Sequence, residues 1–135
     1  MRVYTHPDCL QHDPGAGHPE APARLAAVLQ ALHVGLPNLQ WMQAPLASNQ
    51  QVARVHSEEM IFQVLATPAG DCTRIDADTV LSQGSAAAAL RASGAGVAAV
   101  DAVMSGRIDR AFCAVRPPGH HATAAAAMGF CLFNT

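Results

Sequence analysis

No lysine occurs among the 135 residues. The eight basic side chains are all arginines, scattered from Arg2 to Arg116 against ten acidic residues, so no cluster can neutralise a run of phosphates. Nucleic acid is therefore not an expected partner. Charged residues make up only 13% and aromatic ones 4% of the chain, yet half of it is hydrophobic and its net charge is −2. That balance lies outside the range of disordered sequences, and the length suits one domain with a buried core. Cys9, Cys72, Cys113 and Cys131 lie far apart with no CxxC spacing, which points to reduced thiols rather than a disulfide framework. No run approaches the ~18 to 20 uninterrupted apolar residues of a membrane span, and MRVYTHPD lacks the charged start and apolar stretch of a secretory signal. No membrane partner and a cytoplasmic location are expected.

What is present alternates between strand and helix. Arg2 to Thr5 is a short β-prone run, and the segment from His12 to Pro22, rich in Gly, Pro and His, reads as a loop. Pro22 suits the first turn of a helix on which Leu25, Val28, Leu29 and Leu32 form one apolar face, ended by Gly35 and Pro37. Glu20 and Arg24 stand four apart, a pair worth only ~0.3–0.5 kcal/mol on an exposed helix. Leu39 to Ala44, with the single Trp, reads as a second strand. Ser48 with Gln51 has the form of a capping box, with Val52 and Val55 on one face of the helix it opens, and Ser57 is placed to cap a helix through Ile61, Val64 and Leu65. Residues 67–84 read as a long connection.

Ser85 to Met104 carries Ala86, Leu90, Val97, Val100 and Met104 at helical spacing, which predicts a long helix, and its Ala/Val stripe at 86–104 reads as core packing. Gly94 and Gly96 each cost roughly 1 kcal/mol in such a helix, and close approach of helix to sheet is the expected compensation. Arg110 to Val115 then reads as a buried strand bounded by Pro117 and Pro118. Strand and helix in alternation, with strands apolar on both faces, predict an α/β fold with a parallel sheet.

Ligands in such sheets bind beyond the carboxyl ends of strands. The segment leaving the 110–115 strand reads RPPGHHATAAAAMGFCLFNT, and it places His120 and His121 side by side behind Pro-Pro-Gly. Two imidazoles titrating near neutrality can divide the removal and the delivery of a proton. A surface pair of histidines is the plainer reading of such a dipeptide, and it stands as the alternative.

RPPGHHA at 116–122 followed by GFC at 129–131 and by Asn134 resembles the signature of the zinc-dependent histone deacetylase and acetylpolyamine amidohydrolase superfamily. HPEAPARL at 18–25, VHS at 55–57 and DADTVLSQGSAAAAL at 76–90 resemble further blocks of its class II and bacterial members, in the same order. The resemblance implies a three-layer arginase/deacetylase-like fold and metal-assisted hydrolysis of an N-acetyl amide on an acetylated lysine or acetylated polyamine. His121 would be the main general base and acid, and His120 would stabilise charge and orient water. Gly129 and Phe130 would line the acyl channel, Asp78 would approach its rim, and Arg24 would stand at the foot of the pocket, with an ion pair to Glu20 as its structural alternative.

The family's zinc ligands are an Asp-x-His pair and a further Asp, and a later Tyr donates to the oxyanion; no Asp-x-His occurs here. The 1–135 chain is therefore expected to be the N-terminal part of one deacetylase-like domain, holding no metal ligands, inactive alone, and prone to self-association through the exposed sheet edge at 110–115. A catalytically inactive remnant serving as a structural or interaction module is the alternative. The other candidates read as ordinary residues: His6, His12 and His18 lack a zinc spacing, His33 and His56 belong to helix or loop, and Cys131 is a buried thiol rather than a nucleophile.

Overall fold

A computed structural model describes residues 1–66 and 72–135. Its centre is β1 (Arg2–Thr5), which pairs in parallel with β2 (Gln40–Gln43) on one side and with β5 (Ala111–Cys113) on the other. Val3 stands opposite Trp41 in one register and Phe112 in the other. Parallel neighbours need crossovers, and α1 (Pro22–Gly35) supplies the first. It starts with proline in its first turn, as expected. Ala21 is its N-cap, so Glu20 lies outside the helix and the Glu20–Arg24 pair suggested by their spacing does not form.

Two layers flank the sheet. On one face Val3 and Ala114 pack with Leu25 of α1, supported by the partly buried Leu29, Leu32 and Trp41, whereas Val28 is turned outward. On the other, Tyr4 and Ala44 pack against Ala95 and Ala99 of α4 (Ser85–Met104). The three-layer α/β/α arrangement with a parallel sheet matches the expected fold class. A further cluster joins the helices α2 (Asn49–Val52) and α3 (Glu58–Leu65) to the C-terminal segment through Val52, Met60, Val64, Leu132 and Phe133.

Local signals explain these short helices. Ser48 and Gln51 bond each other's backbone N–H at 3.2 and 2.8 Å, a complete capping box, and Ser57 accepts from the Met60 N–H at 3.3 Å to open α3. Helix α2 ends at Val52, so Val55 falls in the following turn and is exposed rather than sharing Val52's buried face. The connection at 67–84 contains an antiparallel hairpin, β3 (Thr73–Arg74) with β4 (Val80–Leu81), which two-residue strands leave illegible to periodicity; its 67–71 stretch lies outside the described residues.

The long helix has its expected ends but a different inner face. Ser85, Ala88, Ala89, Ser93, Gly94, Ala95, Ala99 and Ala102 are buried, whereas Val100 and Met104 are 60% and 80% exposed. Small residues win the inside because the backbone must come close: a β-carbon on Gly94 would collide with the Pro45 carbonyl, and one on Gly96 would lie 2.8 Å from Thr135. By length and composition alone α4 could cross a membrane, yet it carries Arg91 and Asp101 and lays this small-residue stripe against the sheet. Strand β5 is shorter than the expected 110–115 and is not buried, since Phe112 is 43% exposed. Its outer edge pairs with no other strand among the described residues.

Candidate active site at the exit of β5

Strand β5 ends at Cys113, and three residues later Arg116 turns back into the protein, 3% exposed. Its guanidinium grips the Glu20 carboxylate with two bonds, Nε to Oε1 at 2.8 Å and Nη2 to Oε2 at 2.6 Å. Its remaining N–H groups reach the carbonyls of Cys9, His12 and Glu20. The loop at 9–20 is thereby tied to the strand exit. His12 completes the cluster, with Nε2 3.2 Å from Glu20 Oε2 and Nδ1 2.7 Å from the Ser85 hydroxyl at the start of α4. Burial pushes the Glu20 carboxyl up, but hydrogen bonds from His12 and Arg116 outweigh it and hold the group below the ordinary glutamate range. Arg24, the expected foot of the pocket, is exposed on the rim of a depression of about 220 Å³ that Glu20 and Arg116 also line. The internal arginine of this structure is Arg116.

Beyond Arg116, a cis peptide to Pro117 and the Pro118-Gly119 step set the loop's direction. Glycine is required at 119 by a close approach rather than by left-handed backbone, because a β-carbon there would run into the Phe133 carbonyl. The imidazoles of His120 and His121 follow, exposed, with ring centroids 4.4 Å apart and planes at 62°. His120 lines a hollow of about 260 Å³ with Pro118, Gly119, Phe133 and Asn134. His121 lies over Gly129, whose φ of 58° suits glycine and whose β-carbon would stand 3.0 Å from the His121 ring.

Phe130 is also left-handed, at φ 69°, a conformation that costs an L-residue roughly 1–2 kcal/mol. Its backbone is held there by Thr79, fully buried, whose hydroxyl accepts from the Phe130 N–H at 3.1 Å. The Phe130 ring meets His18 edge to face at 5.0 Å. His18 Nδ1 accepts from the Glu20 N–H at 3.1 Å, so Nε2 carries the proton and donates to the Asp78 carbonyl at 2.9 Å. Asp78 itself is exposed at the tip of the β3–β4 hairpin. That tip is built on Asp76, whose Oδ1 accepts from the Asp78 and Thr79 N–H groups at 2.9 and 2.7 Å; the first of these, then Thr79, hold its carboxyl below the usual range.

The expected residues Asp78, Phe130, Gly129 and His121 thus share one neighbourhood, and the sequence reading missed the residues that assemble it: His12, His18, Thr79, Arg116 and His56. Four of them sit inside the quoted blocks, His18 in HPEAPARL, His56 in VHS, Thr79 in DADTVLSQGSAAAAL and Arg116 in RPPGHHA, and those blocks are the available signal. Cys131 is fully buried beneath the loop, and burial pushes its thiol up, as it does those of Cys9 and Cys113. Among the described residues no three His, Cys, Asp or Glu side chains converge as a metal site. The donors present therefore do not fit a zinc ion, and no chemical step is routed through one.

A parallel sheet covered by helices on both faces, with paired imidazoles at a strand's carboxyl end, defines a three-layer α/β domain with its candidate site where such sheets bind ligands. The structure superposes on the crystal structure of the HDA15 HD domain with a TM-score of 0.94 and 33% identity, covering 99% of this chain and 41% of that one. Residues 18–135 match the histone deacetylase domain, and the chain belongs to the histone deacetylase family. It is 37% identical over 128 residues to the histone deacetylase-like amidohydrolase of Pseudomonas aeruginosa, covering 92% of this chain and 33% of that protein. It is 38% identical over 125 residues to the polyamine deacetylase HDAC10 of Rattus norvegicus, covering 85% and 21%. The chain thus spans 21% to 41% of the length of these relatives.

Proposed function

We propose that this chain carries the proton-transfer histidines and one channel wall of a zinc-dependent hydrolase that cleaves N-acetyl amides of lysine or of polyamines. The observation that carries the reading is the His120–His121 pair at the β5 exit, beside the wall built by Phe130, Gly129 and His18. His121 is the general base that takes a proton from the attacking water and returns it to the leaving amine. His120, with its ring 4.4 Å away, stabilises charge as His121 becomes protonated. Phe130 and the Asp78 turn guide the acyl side chain. The zinc ligands of the family that the chain resembles are an Asp-x-His pair and a further Asp, and this sequence carries no Asp-x-His, so the 135-residue chain alone should bind no stoichiometric zinc and hydrolyse nothing.

The test grafts residues 1–135 onto the remainder of the Pseudomonas aeruginosa amidohydrolase and measures hydrolysis of an acetyl-lysine peptide and of an acetylpolyamine. His121→Ala should lower kcat by ~10²- to 10⁴-fold with zinc retained, and His120→Ala by less. Equal and slight effects of both substitutions refute these roles. Stoichiometric zinc with hydrolysis in the unextended chain refutes the assignment of the ligands.

We further propose a cytoplasmic location, supported by four cysteines that are all free thiols, and self-association through β5. The uncharged run from Ala111 to Val115 and the exposed Phe112 support pairing with a second copy.

A further inference from the structure

We propose that His56 is the positioning residue of the loop that presents His120 and His121. It sits between α2 and the cap of α3, 4% exposed, with both ring nitrogens engaged. Nε2 lies 2.8 Å from the Asn134 backbone nitrogen, which can only donate. Nδ1 lies 2.8 Å from the Thr123 carbonyl, which can only accept. These partners permit one state of the ring, neutral with its proton on Nδ1. A protonated ring would set two donors face to face at Asn134. The other neutral tautomer would break both bonds.

The two partners are the near and far parts of one lobe. Thr123 stands two residues past His121, and Asn134 closes the lobe with its own side chain, Nδ2 donating to the Ala122 carbonyl at 3.0 Å. The neighbouring Ser57 N–H adds a bond to the Ala124 carbonyl at 2.8 Å. Inside the lobe the His121 N–H points to Cys131 Sγ at 3.4 Å, and the His121 ring rests on Gly129. His56 therefore fixes the span across which His121 meets Gly129. It donates to and accepts from backbone only, so it acts through His121 and does not touch the reacting atoms. Its role in turnover rests on the reading of His121 as the general base, whereas the brace itself is measurable without turnover.

The decisive measurement is nitrogen-resolved NMR of the 135-residue chain. The expected result is a His56 ring protonated on Nδ1, with proton–proton contacts between the His121 ring and the Gly129 α-hydrogens. His56→Ala should abolish those contacts while signals of Val3 and Leu25 stay in place. His56→Gln, whose side-chain oxygen can still accept from Asn134, should retain them in part. A ring protonated on Nε2, or His121–Gly129 contacts that survive His56→Ala, overturns the proposal. If His56→Ala does not fold, the wild-type tautomer and His56→Gln decide. In the grafted enzyme described above, His56→Gln should lower kcat about tenfold or more with KM within twofold, as displacement of a proton-transfer group requires; an unchanged kcat overturns the positioning role. If the unsubstituted graft hydrolyses neither substrate, the hydrolase reading falls while the NMR result still decides the brace.

Discussion

Replacing Glu20 with glutamine keeps the shape of the side chain and removes its charge, which leaves the Arg116 guanidinium buried against a neutral partner. Arg116 and Glu20 are 3% and 2% exposed, and their two bonds at 2.6 and 2.8 Å have the forked geometry of the strong class of ion pair. Removing one member of such a pair costs about 3–5 kcal/mol because the surviving charge has no water to return to. A domain of this size has ~5–15 kcal/mol in all, so the variant should fold but lose a large share of its margin. With a urea dependence of about 2 kcal/mol per molar, the unfolding midpoint should fall by roughly 1.5–2.5 M. Arg116→Met should cost more, because the carbonyls of Cys9, His12 and Glu20 lose a donor as well. The pH dependence has a definite sign. Glu20 titrates below the ordinary glutamate value in the folded chain, so its contribution is complete above the unfolded value of about 4.3 and is lost as pH falls through the folded one. The wild type should weaken through that acid window, and the difference between it and Glu20→Gln should shrink there. Urea titrations at pH 7, 4 and 3 read both effects. A midpoint difference under 0.5 M at pH 7, or one that widens in acid, would show that the charge on Glu20 is not what holds the 9–20 loop to the strand exit.

Other perturbations test the remaining parts. Thr79→Val keeps the volume but removes the acceptor for the Phe130 N–H and the donor to Asp78; we expect a loss of about 1–3 kcal/mol in urea unfolding, with the Phe130 amide signal moved in NMR. Gly94→Ala should destabilise by about 1–3 kcal/mol despite alanine's better helix propensity, since its methyl meets the Pro45 carbonyl; a stabilised variant would contradict the packing described for α4. Sedimentation at several concentrations should reveal association that Phe112→Lys weakens; a concentration-independent monomer removes the β5-edge proposal.

Where a single local rule decides, the sequence was readable. The capping box at Ser48, the cap at Ser57, the start of α1 at Pro22 and the full extent of α4 all depend on neighbours within four residues. The hairpin did not announce itself, because two-residue strands carry no period. Ala88, Ala89, Ala95, Ala99 and Ala102 of the α4 stripe are buried and its valines are not, because the approach of the Pro45–Ala47 backbone, invisible along the chain, selects for small size over hydrophobicity. Spacing along the chain offers Glu20 the partner Arg24 four residues away, whereas its actual partners Arg116 and His12 depend on the fold's closure. For the candidate site, the loop at 116–134 is legible as a motif, whereas the contacts that His18, His56 and Thr79 make to it and to the hairpin are not, since each reaches across 50 or more residues.

Helix α4 reverses the usual relation between the bulk of a residue and what depends on it. Leu90 apart, which packs partly buried on the core of α2 and α3, its bulky side chains at Val100, Val103 and Met104 face outward, and its fully buried face is alanine, serine and glycine. Along this helix, tolerance to substitution should therefore rise with the size of the native residue. A scan to alanine would pass through most of it unnoticed, and a scan to leucine would pick out the turns that lie against the sheet and against the Pro45–Ala47 segment.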